Sequence, residues 1–158
     1  MNWTIIQASK ALEYAAAFEL FKEYLASLDF DLSFQNIDHE LTILPQMYGP
    51  PTGGLFLVKV GDNFVGCAGL RRIENDTTCE LKRMYLRPSY RRLGIGKALM
   101  EECIVASRNL GYALMKMDTH GTKMPWAVGL YKSFGFREIA PYNYNPHAGI
   151  LYFERELV

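Results

Sequence analysis

Gly94 and Gly96, one residue apart and followed by Lys97, are the positions in this chain best suited to chemistry. They separate an extended segment, Cys79 to Leu86, from an amphipathic run that follows. Glycine at a strand-to-helix turn leaves backbone N–H groups bare, with the positive end of the helix dipole behind them. That combination binds anions and suits phosphate. A cluster of cations, Arg83, Arg87, Arg91, Arg92 and Lys97, surrounds the turn and suits a small polyanion better than a duplex.

Three phosphate-binding patterns compete for the turn. A nucleotide triphosphatase loop needs a glycine where this chain has Arg91, and a hydroxyl residue for magnesium where it has Ala98. A dinucleotide fingerprint needs a third glycine where Leu99 stands, and its strand opens a βαβ unit rather than closing a meander. The third pattern fits. Arg91-Arg92-Leu93-Gly94-Ile95-Gly96 resembles the Arg/Gln-x-x-Gly-x-Gly/Ala pyrophosphate loop of the GNAT (general N-acetyltransferase) superfamily. The preceding Glu80 to Pro88 resembles the superfamily's pantetheine-holding strand. Ala127-Val128-Gly129-Leu130-Tyr131-Lys132-Ser133-Phe134-Gly135-Phe136 resembles its Ala-x-x-Leu-Tyr-x-x-x-Gly-Phe signature.

The resemblance implies a role for each position. Backbone amides of Leu93, Gly94, Ile95, Gly96, Lys97 and Ala98 hold the pyrophosphate of acetyl-CoA, the co-substrate. Backbone groups of Met84, Tyr85 and Leu86 pair with the pantetheine arm, because that strand splays away from its neighbour, Tyr112 to Asp118. Arg91, Arg92 and Lys97 reach the outer phosphates, or are plain surface charge. The fold implied is α/β (α+β), a mixed and mostly antiparallel sheet of six to seven strands with about four helices on its faces. The activity implied is N-acetyl transfer to a primary amine of a small molecule, amino acid or peptide. A non-catalytic acyl-CoA-binding regulator and a protein acetyltransferase are the alternatives. Self-association as a homodimer through the C-terminal strands is compatible with the resemblance.

Acetyl transfer poses two proton problems. The amine must attack neutral, which at pH 7 costs about 4–5 kcal/mol for a lysine-like amine of pKa ~10.4 but only about 1–1.5 kcal/mol for an α-amine of pKa ~8. The leaving thiolate needs a proton. Tyr131, the tyrosine of the signature, is implied as that acid. A phenol of pKa ~10 can protonate a thiolate of pKa ~8.5 at about 2 kcal/mol uphill. Tyr131 also lies on an apolar stripe with Trp126, Ala127, Leu130 and Phe134, where it would serve as a core aromatic. Glu80 is the candidate base, acting directly or through water. Alternation puts Glu80, Lys82, Met84 and Leu86 on one face. The same carboxylate could instead pair with a cross-strand arginine such as Arg71, and His120 is a further candidate base. No covalent acetyl-enzyme is indicated; direct attack in a ternary complex is simpler. His39, His120 and His147 are too scattered for a metal site.

These groups must be positioned by elements readable from periodicity. Strands are expected at Trp3–Ala8, Leu55–Val60, Phe64–Ile73, Thr78–Leu86, Tyr112–Asp118, Phe136–Ala140 and Ile150–Leu157. A helix is expected over Lys10–Leu28, capped by Ser9, with Ala11, Ala15, Phe18, Phe21, Leu25 and Leu28 inward. A short helix over Asp38–Leu44 should end at Pro45. The helix after the glycines should end at Gly111, and the next should start near Thr122 with Pro125 in its first turn. The Tyr142–His147 stretch, aromatic and amide-rich, reads as a lid over a polar amine or as a rigid hairpin turn. Asp29 and Asp31 are the sparse acids on the acceptor side.

Composition bounds the rest. The 158 residues fit one domain, 1–158, and 49% apolar content supplies a substantial core. Acids and bases balance at 17 each, so no global field draws nucleic acid or acidic membranes. Cys67, Cys79 and Cys103 have neither metal nor redox spacing and read as buried thiols in a reducing compartment. Met1 to Gln7 lacks a signal-peptide pattern and no apolar run approaches a membrane span, so a cytoplasmic protein is expected.

Overall fold

Leu55-Phe56-Leu57-Val58 is an uninterrupted apolar run, as expected of a strand covered on both sides. The computed structural model, which describes residues 2–28, 36–121 and 124–157, places it on an interior strand of a seven-stranded sheet, next to the edge. The strands are β1 (Trp3–Gln7), β2 (Gly54–Val60), β3 (Asn63–Arg72), β4 (Thr78–Leu86), β5 (Leu114–His120), β6 (Arg137–Ile139) and β7 (Ile150–Glu156). Their order is β1-β2-β3-β4-β5-β7-β6. β4 and β5 run parallel and the other neighbours antiparallel, because a helix crosses over between those two strands. The mixed sheet expected from the resemblance is therefore present.

Helices α1 (Ala11–Ser27), α2 (Ile37–Thr42) and α3 (Leu44–Met47) belong to one face, and α4 (Ile95–Asn109) covers the other; α5 (Pro125–Ser133) follows β5. Two apolar clusters result. Leu81, Leu99, Cys103, Met115 and Phe153 pack beneath α4, and Leu20, Phe21, Tyr48, Leu57 and Cys67 pack beneath α1. All three cysteines are buried free thiols. No helix among the described residues is long and apolar enough to cross a membrane.

The structure corrects several local expectations. Lys10, not Ser9, is the N-cap of α1; the Glu13 carboxylate instead accepts from the Ser9 and Lys10 amides at 2.9 and 3.0 Å. Phe18 and Phe21 pack inward as expected, but Ala11 and Ala15 are exposed, and Tyr14, Ala17, Leu20 and Tyr24 fill out the inward stripe. Tyrosine can face this core because its hydroxyl finds an acceptor, as Tyr14 does on the Tyr48 carbonyl at 3.1 Å. Pro45 does not end a helix but opens α3, where its missing N–H costs nothing. The expected cap Thr122 and the acids Asp29 and Asp31 lie outside the described residues.

The correction with most consequence is in β4. Cys67 pairs with Tyr85, but Gly69 pairs with Lys82, so β4 carries one extra residue opposite Ala68. Arg83 absorbs it with φ of 56°. The extra residue inverts the alternation. Cys79 and Leu81 before it, and Met84 and Leu86 after it, all pack on the α4 side. Glu80 and Lys82 thus share their face with Arg83 and Tyr85, not with Met84 and Leu86.

Candidate active site

At the start of α4, Gly94 is left-handed with φ of 83°, and Arg92 is too, with φ of 64°. The first intrahelical bond runs from the Ala98 amide to the Gly94 carbonyl at 3.2 Å. The amides of Ile95, Gly96 and Lys97 therefore have no intrahelical acceptor. A methyl added at Gly94 or Gly96 would meet no atom within 4 Å. The space in front of these amides is open, and the donors and dipole there fit a pyrophosphate. The fully buried Ile95 anchors the turn from below. Arg91 does not extend outward. Its Nε donates to the Leu86 carbonyl at 2.9 Å, and its guanidinium lies 5.5 Å from the Trp126 ring and 5.9 Å from the Tyr85 ring. Arg92, Leu93 and Lys97 are exposed.

A cleft opens between β4 and β5. The two strands pair only at Thr78–Leu114, Cys79–Met115 and Glu80–Lys116. Beyond Lys116 they part, so the β5-facing edge of Met84 to Leu86 has no ladder partner. The opening encloses a cavity of about 30 Å³ between Lys82, Arg83 and Met84 on one wall and Asp118 and Thr119 on the other. Tyr24, Met124, Trp126 and Tyr131 complete its lining.

Tyr131 is buried, its ring 6.1 Å from both Phe136 and Phe153. Burial pushes its hydroxyl well above the ordinary tyrosine range, and the neighbouring Tyr24 hydroxyl and Asp118 carboxylate add to this. Burial likewise pushes Tyr24 up to about 12. Both phenols that face the cleft are therefore protonated donors at neutral pH.

Glu80 is 1% exposed and does not line that cavity. Its Oε1 accepts from Arg71 Nε at 2.9 Å and lies 2.8 Å from Arg71 Nη2, while Oε2 accepts from Tyr142 Oη at 2.6 Å. Burial works to raise its pKa, but Lys82, Arg71 and the Tyr142 hydrogen bond together hold it below its ordinary value. His120 ends β5 opposite Ile150, with its ring beside Gly149.

The segment after β6 straps this face of the sheet. Besides Tyr142 on Glu80, Asn143 Nδ2 donates to Asp118 Oδ2 at 3.0 Å, and Lys116 Nζ sits 5.3 Å from the Tyr142 ring. Beyond the Arg83–Glu40 ion pair lies a second cavity of about 380 Å³, lined by His39, Glu40, Gln46 and Arg71 among others. The structure thus gathers Tyr131 and Met84 at one cleft, ties the residues before the glycine turn to it through Arg91 on Leu86 and Trp126, and sets Glu80 to one side. Tyr24 and Asp118, which also line the cleft, were not singled out from sequence. Asp118 carried one usable signal, a lone acid ending a strand next to the expected splay. No group of His, Cys, Asp or Glu that could hold a metal occurs among the described residues.

The model of the acetyltransferase (GNAT) family matches residues 12–136. An uncharacterized N-acetyltransferase of Schizosaccharomyces pombe is 40% identical over 139 residues, which is 87% of this chain and 85% of that protein. N-acetylaspartate synthetase of Rattus norvegicus is 35% identical over 101 residues, 63% of this chain but only 33% of that protein. Among solved structures, a GNAT-family acetyltransferase of Staphylococcus aureus superposes with a TM-score of 0.79 at 24% identity, covering 99% of this chain and 100% of its own.

Proposed function

Because the chain belongs to the GNAT family and is an acyltransferase of the N-acetyltransferase kind, we propose that it moves the acetyl group of acetyl-CoA to a primary amine by direct attack in a ternary complex. The observation that carries this reading is the parting of β4 from β5 beside Tyr131, together with the free amides at the start of α4. The free amides of Ile95, Gly96 and Lys97, with those of Leu93 and Gly94 before them, take the pyrophosphate, while the Ala98 amide, also expected there, is spent on the Gly94 carbonyl. The unpaired edge of Met84, Tyr85 and Leu86 takes the pantetheine arm as an added strand would be taken. Arg91 braces the loop against β4, while Arg92 and Lys97 face the outer phosphates.

The ammonium of the acceptor first loses one proton. The neutral nitrogen attacks the thioester carbonyl carbon, forming the C–N bond. The C–S bond then breaks, and Tyr131 gives its proton to the departing thiolate. The second nitrogen proton leaves as the amide forms, so the products are acetamide, free CoA thiol and one proton, and Tyr131 regains its own from solvent. Glu80 serves as base through water rather than by contact, since Arg71 and Tyr142 occupy its two oxygens. The acceptor is a small molecule, amino acid or short peptide; the rat relative's name puts aspartate in that role for that protein. The strap of Tyr142 and Asn143 over this face favours small acceptors over a folded protein.

The test is an amine panel with acetyl-CoA, read by a thiol-reactive dye that reports free CoA. Release with at least one amine supports the reading. Tight acetyl-CoA binding by calorimetry with no release across the panel overturns it in favour of a non-catalytic acyl-CoA-binding protein.

A further inference from the structure

Lys82 and Asp118 stand on opposite walls of the cleft. The parallel register pairs Glu80 with Lys116, and continued two residues further it would set Lys82 beside Asp118. Opposite charges at such cross-strand positions attract and ordinarily pair. Here the strands have parted. Both residues line the cavity. Lys82 acts on Glu80 through space, but the two Glu80 oxygens are taken by Arg71 and Tyr142, and among the described residues Lys82 forms no ion pair.

The neighbouring charges are already committed. Arg71 is held by Glu80, Arg83 by Glu40 and Lys116 by Glu74. Asp118 gives Oδ2 to Asn143 and has no hydrogen bond on Oδ1 among the described residues. A cation and an anion, kept apart on two walls of one cavity, match a ligand that carries both charges close together. We propose that the acceptor is a zwitterionic α-amino acid, with its carboxylate on Lys82 and its ammonium on Asp118.

This inference rests on the acetyl-transfer reading and narrows it. An amine held at Asp118 shares its cavity with Tyr131, the proposed acid. A diamine would bring a second cation against Lys82. A decarboxylated amine, or a peptide whose first carboxyl is an amide, gives Lys82 no carboxylate to bind.

The experiment compares alanine and phenylalanine with ethylamine and phenethylamine, and with alaninamide and phenylalaninamide, by CoA release from the wild-type protein. The amino acids should show kcat/KM about 10- to 100-fold above their amides and decarboxylated counterparts, the effect of one charge-assisted contact. Amine basicity cannot produce the order of acid over amide, because the amino-acid amide loses its proton more readily, so that ratio is the one that decides. Lys82→Gln should bring the ratio near unity, and Lys82→Arg should keep most of it. Equal turnover of acids and amides, or a ratio that survives Lys82→Gln, overturns the inference while leaving acetyl transfer intact. No release from any amine, with acetyl-CoA still bound in calorimetry, overturns both readings. The wild-type ratio needs no variant, so a poorly folding substitution cannot obscure the answer.

Discussion

Arg83 on β4 and Glu40 on α2 meet in a bidentate ion pair, Nε to Oε2 at 2.9 Å and Nη2 to Oε1 at 3.1 Å, with both side chains nearly inaccessible to solvent. The pair joins the left-handed residue of β4 to the helix beyond it, so it holds the bulge that turns β4 toward the cleft. Removing one partner of such a pair leaves a charge buried without its counter-charge, which costs about 3–5 kcal/mol. Glu40→Ala should therefore lower unfolding stability by about that amount, measured by urea titration. A loss below about 1 kcal/mol would show that the bulge does not depend on this pair.

Glu80 gives the fold an acid-side pH dependence. Its folded pKa lies below the ordinary 4.5 because Lys82, Arg71 and Tyr142 outweigh burial. A depressed carboxylate contributes stability that is fully present above its unfolded pKa and is lost as pH falls through the folded one. Urea midpoints of the wild type should fall as pH drops below about 4.5, and Glu80→Gln should flatten that part of the curve. Equal slopes for the two proteins would place the acid sensitivity elsewhere.

What was legible in the sequence follows the range of the interaction that fixes each feature. Gly94 announced itself because a left-handed N-cap is a local demand that glycine meets, and Pro125 and Gly111 marked helix ends for equally local reasons. Arg83 gave no sign, since its positive φ is held by a carboxylate 43 residues away. Simple alternation therefore assigned Met84 and Leu86 to the wrong face. On α1 Phe18 and Phe21 were legible, but Ala11 and Ala15 were not told from Tyr14 and Tyr24, because alanines and tyrosines recur at compatible helical spacings and the acceptor that lets Tyr14 turn inward, the Tyr48 carbonyl, is distant in sequence. Glu80 was seen both as base and as partner of Arg71; the pairing is observed, and Tyr142 adds a second bond that no local pattern could reveal. The facing of Lys82 and Asp118 needs the residue at which β4 and β5 stop pairing, which is a property of the assembled sheet.

Tyr131→Phe separates the proposed acid from a core aromatic. The ring contacts with Phe136 and Phe153 survive the change, so stability should move by less than about 1 kcal/mol. Loss of a general acid should lower kcat by about 100-fold or more, with KM for acetyl-CoA nearly unchanged. Burial holds the hydroxyl above its ordinary 10.0, so its ionisation should not limit the wild-type rate below that pH. An unchanged kcat in steady-state assays would remove Tyr131 from the chemistry.

Gly94 and Gly96 make the glycine turn testable by two substitutions that should behave differently. Gly94 has φ of 83°, so Gly94→Ala forces a side chain into left-handed backbone and should cost about 1–2 kcal/mol of stability. Gly96 has no positive φ, and a methyl there meets nothing within 4 Å. Gly96→Ala should leave stability unchanged or raise it by up to about 1 kcal/mol. The same methyl would stand in the space assigned to the pyrophosphate, before the free amides of Ile95 to Lys97. Acetyl-CoA affinity by calorimetry should therefore fall by about 10-fold or more in Gly96→Ala, a loss of at least about 1.4 kcal/mol, with thermal melts at or above wild type. Wild-type affinity in that variant would mean that the start of α4 does not hold the phosphates, whatever its stability.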